Sequence, residues 1–128
     1  MKIMERRITI TSGSLHFDCM LYATSTAEAI WNCLPLHASV NTWGDEIYFK
    51  IPVQAELEAD AREVVQIGDM GYWPSGSALC IFFGPTPVSR PGEIRPASAV
   101  NVFGKVTGDT KGFKKIADGS AISIAKAL

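Results

Sequence analysis

The histidines, cysteines and carboxylates that most often carry acid–base or metal chemistry number two, three and thirteen in this chain of 128 residues. Their spacing argues against most of that chemistry. Both His16 and His37 lie in the first third of the chain, and no GxSxG turn marks a serine nucleophile, so a hydrolase triad has little support. Cys19, Cys33 and Cys80 form no CxxC pair and sit among apolar neighbours, which reads as small buried hydrophobes in a reducing compartment. With no clustered nitrogen, sulfur or carboxylate ligands, neither a metal nor a cofactor is expected. The GDMG and PGE stretches lack the strand, glycine loop and helix order of a phosphate cradle.

Two acidic groupings have the form of paired acids, Asp45-Glu46 and Glu56-Glu58-Asp60. Set beside a Gly-Asp turn and in an acidic connection, they read as surface charge. Arg90 and Arg95 stand in a proline-rich loop from which a mobile cation can reach a groove, although solvated surface charge is the simpler role there. The aromatic residues remain. In GDMGYWPSGSALCIFFGPTP, residues 68 to 87, Tyr72-Trp73 and Phe82-Phe83 flank the Pro74-Ser75-Gly76 turn. Adjacent residues of a strand point to opposite faces, so one of each pair packs inside while its neighbour faces out, where it can line a ligand groove.

The elements that must position these residues are mostly strands. RITITSGSLHFDCMLYA alternates as a hairpin, with Ile8 and Ile10 on one face and the turn at Ser12-Gly13. Ser25 and Glu28 have capping-box spacing before an amphipathic helix over about residues 26 to 34, which Pro35 stops. HASVNTW, a turn at Gly44-Asp45 and EIYFKIP follow as strands, with Ile47, Phe49 and Ile51 on one face and Glu46, Tyr48 and Lys50 on the other. ELEADARE reads as a loop or a helical turn, and EVVQI, MGYW, SALCIFF, AVNVFGKVTG and SAISIAKA as further strands, with a short helix or turn at GFKKIADG. GPTPVSRPGEIRPAS carries four of the seven prolines, which predicts an extended surface loop.

The totals set limits on this plan. One domain over residues 1–128 is long enough to bury a core without staples. Twelve basic against thirteen acidic residues, without long runs, point away from nucleic acid and anionic membranes. No apolar block of signal-peptide or membrane-spanning length occurs, so a cytoplasmic protein is expected. Many strands with two short helices in so small a chain suggest a closed or nearly closed barrel, which also removes exposed strand edges.

Several blocks, in order, resemble the cyclophilins. VFGKV at 102 to 106 is identical to a strand segment of that family, Thr26-Ala27-Glu28 resembles its TAE, Ile47 to Pro52 resembles its FHRVIP strand, and Gly76-Ser77 with Ile81 fits its GSQFFI. The GYWP turn and IFFGPTP run are similar to those of small prokaryotic cyclophilin-like proteins of unassigned activity. The resemblance implies a mainly β fold: a cyclophilin-like closed barrel of about eight antiparallel strands, one or two short helices capping its ends, and an outer groove. In cyclophilins that groove binds proline-containing peptides and catalyses prolyl isomerisation across a barrier of about 18–20 kcal/mol.

Carried onto this chain, the isomerase machinery is substituted. The arginine of FHRVIP falls on Phe49, the phenylalanine and methionine after its proline on Gln54 and Ala55, and the glutamine and second phenylalanine of GSQFFI on Ala78 and Cys80. The histidine before VFGKV falls near Val100. Losing one preorganised donor costs about 2.7–4 kcal/mol of transition-state stabilisation. The expectation is a cyclophilin-like domain that binds a small or peptide-like ligand through some of Tyr48, Phe49, Tyr72, Trp73, Ala78, Cys80, Arg90 and Val100. Two alternatives stand beside it: an atypical prolyl isomerase, and a scaffold subunit that uses the loop of 84 to 98 as its contact surface. A homo-oligomer is left open.

Overall fold

The computed structural model describes residues 6–127. The charged opening of the chain, residues 1–5, lies outside it. Among the described residues, nine strands form one antiparallel sheet around a buried core. In chain order they are β1 (Arg6–Ser12), β2 (Leu15–Leu21), β3 (Leu36–Ser39), β4 (Asn41–Thr42), β5 (Glu46–Lys50), β6 (Asp69–Trp73), β7 (Ala78–Phe82), β8 (Asn101–Val106) and β9 (Ala121–Lys126). One helix, α1 (Ser25–Asn32), and two 3-10 turns, Pro74–Gly76 and Lys111–Lys115, complete the regular structure.

The sheet runs β3-β9-β1-β2-β8-β6-β7-β5-β4. Its two edge strands are neighbours in sequence, separated only by the buried Val40. The backbone that leaves one edge therefore starts the other, and the sheet curls into a nearly closed barrel. Strand alternation fills it: Ile8 and Ile10 of β1, Phe17 and Cys19 of β2, Ile47 and Phe49 of β5, and Leu79 and Ile81 of β7 all turn inward and are buried.

Several boundaries differ from the sequence expectation by small steps with clear causes. The first hairpin turns at Gly13-Ser14, because Ser12 still pairs with Leu15 and only Gly13 takes the left-handed backbone, at φ 59°. Helix α1 begins one residue early: the Thr24 side chain accepts from the Ala27 amide at 3.0 Å, which puts Ala27, not Glu28, in the third helical position. Glu28 therefore closes no capping box. HASVNTW splits at Val40 into β3 and β4. EVVQI is not a strand; only the single bridges Arg62 to Val100 and Val65 to Ile94 form there.

Glu58, expected as a solvated charge, is instead structural. Its Oε2 accepts from the Thr26 hydroxyl at 2.8 Å and the Ser25 hydroxyl at 3.2 Å at the start of α1, where the helix dipole favours an anion. The fully buried Asn101 completes the tie: its Oδ1 accepts from the Glu58 amide at 2.8 Å, and its Nδ2 donates to the Glu56 carbonyl at 2.8 Å and the Thr26 hydroxyl at 3.3 Å. Helix, acidic loop and β8 are joined at one amide. Asn101→Leu keeps the volume but strips partners from buried polar groups, so urea unfolding should show a loss of about 2 kcal/mol. A change below about 0.5 kcal/mol would mean that water replaces the amide without cost.

Candidate functional site

The loop of residues 84 to 100, bridged to Arg62 and Val65 of the preceding connection, lies over the outer face of the barrel, and a second, smaller core forms beneath these loops. Val65, Ala78, Cys80, Phe82, Ile94 and Val100 are buried there, with Tyr48, Trp73 and Val102 half-buried against them. Alternation selects this set. Tyr48 pairs with Cys80, Cys80 with Gly71 and Gly71 with Val102, so one cross-strand row of β5, β7, β6 and β8 faces the loops. Gly71 is required in that row, since a Cβ there would stand 2.8 Å from a Val100 methyl. The missing side chain lets the loop lie against the sheet.

A pocket of about 230 Å³ opens in this face. Tyr48, Cys80, Trp73 and Val100 line it together with Trp43, Glu46, Pro96 and Ala97. Trp73 is held by its indole Nε1, which donates to the Ser98 hydroxyl at 2.6 Å, and by Gly76, where a Cβ would collide with the ring at 2.7 Å. Trp43 and Glu46 are set by the β4–β5 turn. The Trp43 amide donates to the Glu46 carbonyl at 2.9 Å, Gly44 has φ 61°, and the Asp45 amide donates to the Pro85 carbonyl at 2.9 Å. A side chain at Gly44 would strike that same carbonyl.

The covering loop is itself tied down. The Ser89 hydroxyl accepts from the Thr86 and Arg95 amides, both at 2.9 Å, the Thr86 hydroxyl donates to the Arg95 carbonyl, and the Val65 amide donates to the Ile94 carbonyl at 2.9 Å. Arg95 is not a mobile cation: its Nε and Nη2 donate to the Glu93 carboxylate at 2.7 and 3.2 Å. Arg90 is exposed and, like Arg95, does not line the pocket.

Glu46 is the one functional group of the lining whose state is unusual. It is only 5% exposed, and its Oε1 is, among the described residues, the one buried side-chain oxygen or nitrogen without a hydrogen-bond partner. Burial pushes its carboxyl from an ordinary 4.5 up to about 7, and the Cys80 thiol beside it opposes this only in part. Burial, with the Glu46 charge second, in turn holds the Cys80 thiol protonated, so it is no nucleophile near neutral pH. Cys19 is likewise buried, its thiol pushed up to about 12, whereas Cys33 is half-buried.

Of the residues singled out from the sequence, Tyr48, Trp73, Cys80 and Val100 come together at this pocket. Ala78 belongs to the same small core one pair further along the strands. Phe49 and Tyr72 point the other way, into the barrel; Phe49 is 2% exposed, and the Tyr72 hydroxyl donates to the Val53 carbonyl at 2.6 Å. Glu46 and Trp43 were missed. Asp45-Glu46 resembled surface charge beside a turn, yet the alternation that places Tyr48 on the outer face places Glu46 there too, and only the loop above makes that face an interior. No three His, Cys, Asp or Glu side chains gather as a metal site among the described residues. Nor is any described helix long and apolar enough to cross a membrane.

A family model described as Cyclophilin-like matches residues 6–125. Among solved structures, the solution structure of the hypothetical protein AF2241 from Archaeoglobus fulgidus is similar, with a TM-score of 0.83 and 42% sequence identity over 98% of each chain. No curated protein matches the sequence.

Proposed function

The chain belongs to the cyclophilin-like family, and we propose that it binds a small ligand in the outer-face pocket with Glu46 as the polar handle, without the residues that prolyl isomerases use. The carrying observation is the unpartnered Oε1 of Glu46. A buried acceptor left without a donor costs about 1–3 kcal/mol, and a ligand that supplies the donor recovers it. Mostly apolar and aromatic walls around one convergent polar group are the usual make-up of a small-molecule site. The loop ties described above fix these walls in advance, so little ordering is left for the ligand to drive.

An isomerase reading is less well supported. The position that resemblance gives to the catalytic arginine is Phe49, whose ring is committed to the barrel core, and Lys50 after it is exposed on the opposite face. A protease-coupled assay on a proline-containing peptide should therefore show isomerisation no faster than in buffer; clear acceleration at micromolar protein would reject this part of the proposal. Binding itself is read from the indole N–H signals of Trp43 and Trp73 during a fragment screen by NMR. Trp31, on α1 beside Arg6 and Lys126, serves as the remote control. If no fragment moves the Trp43 and Trp73 signals selectively, the pocket is not a binding site.

A further inference from the structure

Resting on the reading of this pocket as a ligand site, we propose that its ligand is a small organic ammonium ion, whose charge is held by the Trp43, Tyr48 and Trp73 side chains and by the Glu46 carboxylate. Two features on separate elements converge on that chemistry. Two indoles and a phenol from β4–β5 and β6 present π-systems whose faces attract a cation, more strongly when water is excluded. Beside them stands a carboxyl that is nearly buried, keeps one oxygen without a partner, and forms no salt bridge among the described residues.

Asp45 and Arg95 are engaged elsewhere, and Lys50, further along the same face of β5, is exposed and does not line the pocket. Asp45, next to Glu46, lays its carboxylate over Gly84, with Lys114 Nζ 4.0 Å away. Arg95 is committed to Glu93. Within the lining, the other titratable groups are the Tyr48 phenol and the Cys80 thiol, neither of which can supply a positive charge. The protein has thus built an anionic, aromatic recess and left its counter-charge to be brought in. An anion would meet repulsion from Glu46. A neutral hydrogen-bond acceptor would need Glu46 protonated and would make no use of the aromatic quadrupoles.

These alternatives give opposite pH dependences, which decides between them. A cation binds the ionised carboxylate, and with Glu46 titrating near 7 about one-tenth is ionised at pH 6 and about nine-tenths at pH 8. Affinity for a cation should rise about tenfold between those values, whereas affinity for an acceptor that needs the acid form should fall. The probes are choline, its uncharged isostere 3,3-dimethylbutan-1-ol, and a capped lysine amide, titrated at pH 6 and 8 into the full chain and into Glu46→Gln with the tryptophan indole signals as readout. Choline should move Trp43 and Trp73, bind about tenfold more tightly at pH 8, exceed its isostere at that pH, and lose both the preference and the pH dependence in Glu46→Gln. Tighter binding of the capped lysine than of choline would assign the cation to a protein side chain rather than a free amine, within the same chemistry. An isostere that binds as well as choline at pH 8, or choline binding that strengthens toward pH 6, would overturn the cation while leaving the pocket as a ligand site. No response of Trp43 or Trp73 to any probe would also overturn the cation, and the fragment screen then decides the pocket separately.

Discussion

Glu46→Gln should stabilise the protein at pH 8 by about 3 kcal/mol and leave it almost unchanged at pH 4.5. The native carboxyl titrates at about 7 against an ordinary 4.5, because burial penalises its charged form. Between those values the native state holds a proton that the unfolded chain releases, so stability must fall as pH rises through this window. The contribution is complete below about 4.5, declines toward 7 and is gone above it. At about 1.4 kcal/mol for each tenfold change in proton affinity, the loss sums to about 3 kcal/mol. Glutamine keeps the shape and carries no proton, so the difference between variant and parent isolates this one group from the other carboxylates. Urea unfolding of both proteins from pH 4.5 to 8 measures it. A variant that is the less stable of the two at pH 8 would mean that Glu46 has a counter-charge or a water shell in the native state, and the account of the pocket would fail with it.

A stabilising substitution of this kind is what a functional group under strain predicts. Buried, unpartnered charge is a cost that folding alone does not select, and sites that trade stability for binding show it. The same logic marks the contrast with Asn101, also fully buried and polar but with its hydrogen bonds made. One is a joint of the fold. The other is an opening in it.

The barrel was largely legible because strands with one buried face carry a period of two, and β1, β2, β5 and β9 keep it, whereas β7 is buried on both faces and reads as a continuous apolar run. Ile47 and Phe49 inward with Glu46 and Tyr48 outward follows from EIYFKIP alone. EVVQI was misread since its valines suit a strand, yet Val65 is buried by the covering loop and makes a single bridge to Ile94. The site was legible only in part, for a related reason. Tyr48 could be placed on the outer face, together with one of Tyr72 and Trp73, but burial of that face depends on Pro96, Ala97 and Val100 folding back from far along the chain, and no local pattern encodes that. Glu46 therefore looked solvated. A carboxylate takes its chemistry from what covers it, and the cover is a tertiary fact.

The largest loss of stability should come from Phe113→Ala, at about 3–5 kcal/mol by urea unfolding, a large share of what a domain of this size has. Phe113 sits in the Lys111–Lys115 turn and is fully buried. Its ring stacks on Phe17 of β2 with centroids 3.8 Å apart and planes at 14°, and on Phe83, just past β7, at 5.6 Å. It thus bridges strands that are not neighbours in the sheet order, and a cavity left there has rigid walls on both sides. A double-mutant cycle of Phe17→Leu with Phe113→Leu should return a coupling of about 0.5–1.5 kcal/mol from the stacked pair; strict additivity would show the rings to be mere filling. Phe113 and Phe17 belong to the inner core, whereas Trp73, Cys80 and Val100 belong to the outer one. The folded fraction of Phe113→Ala should accordingly keep the Trp43 and Trp73 indole signals of the parent, and a shift of both would show that the two cores are not independent.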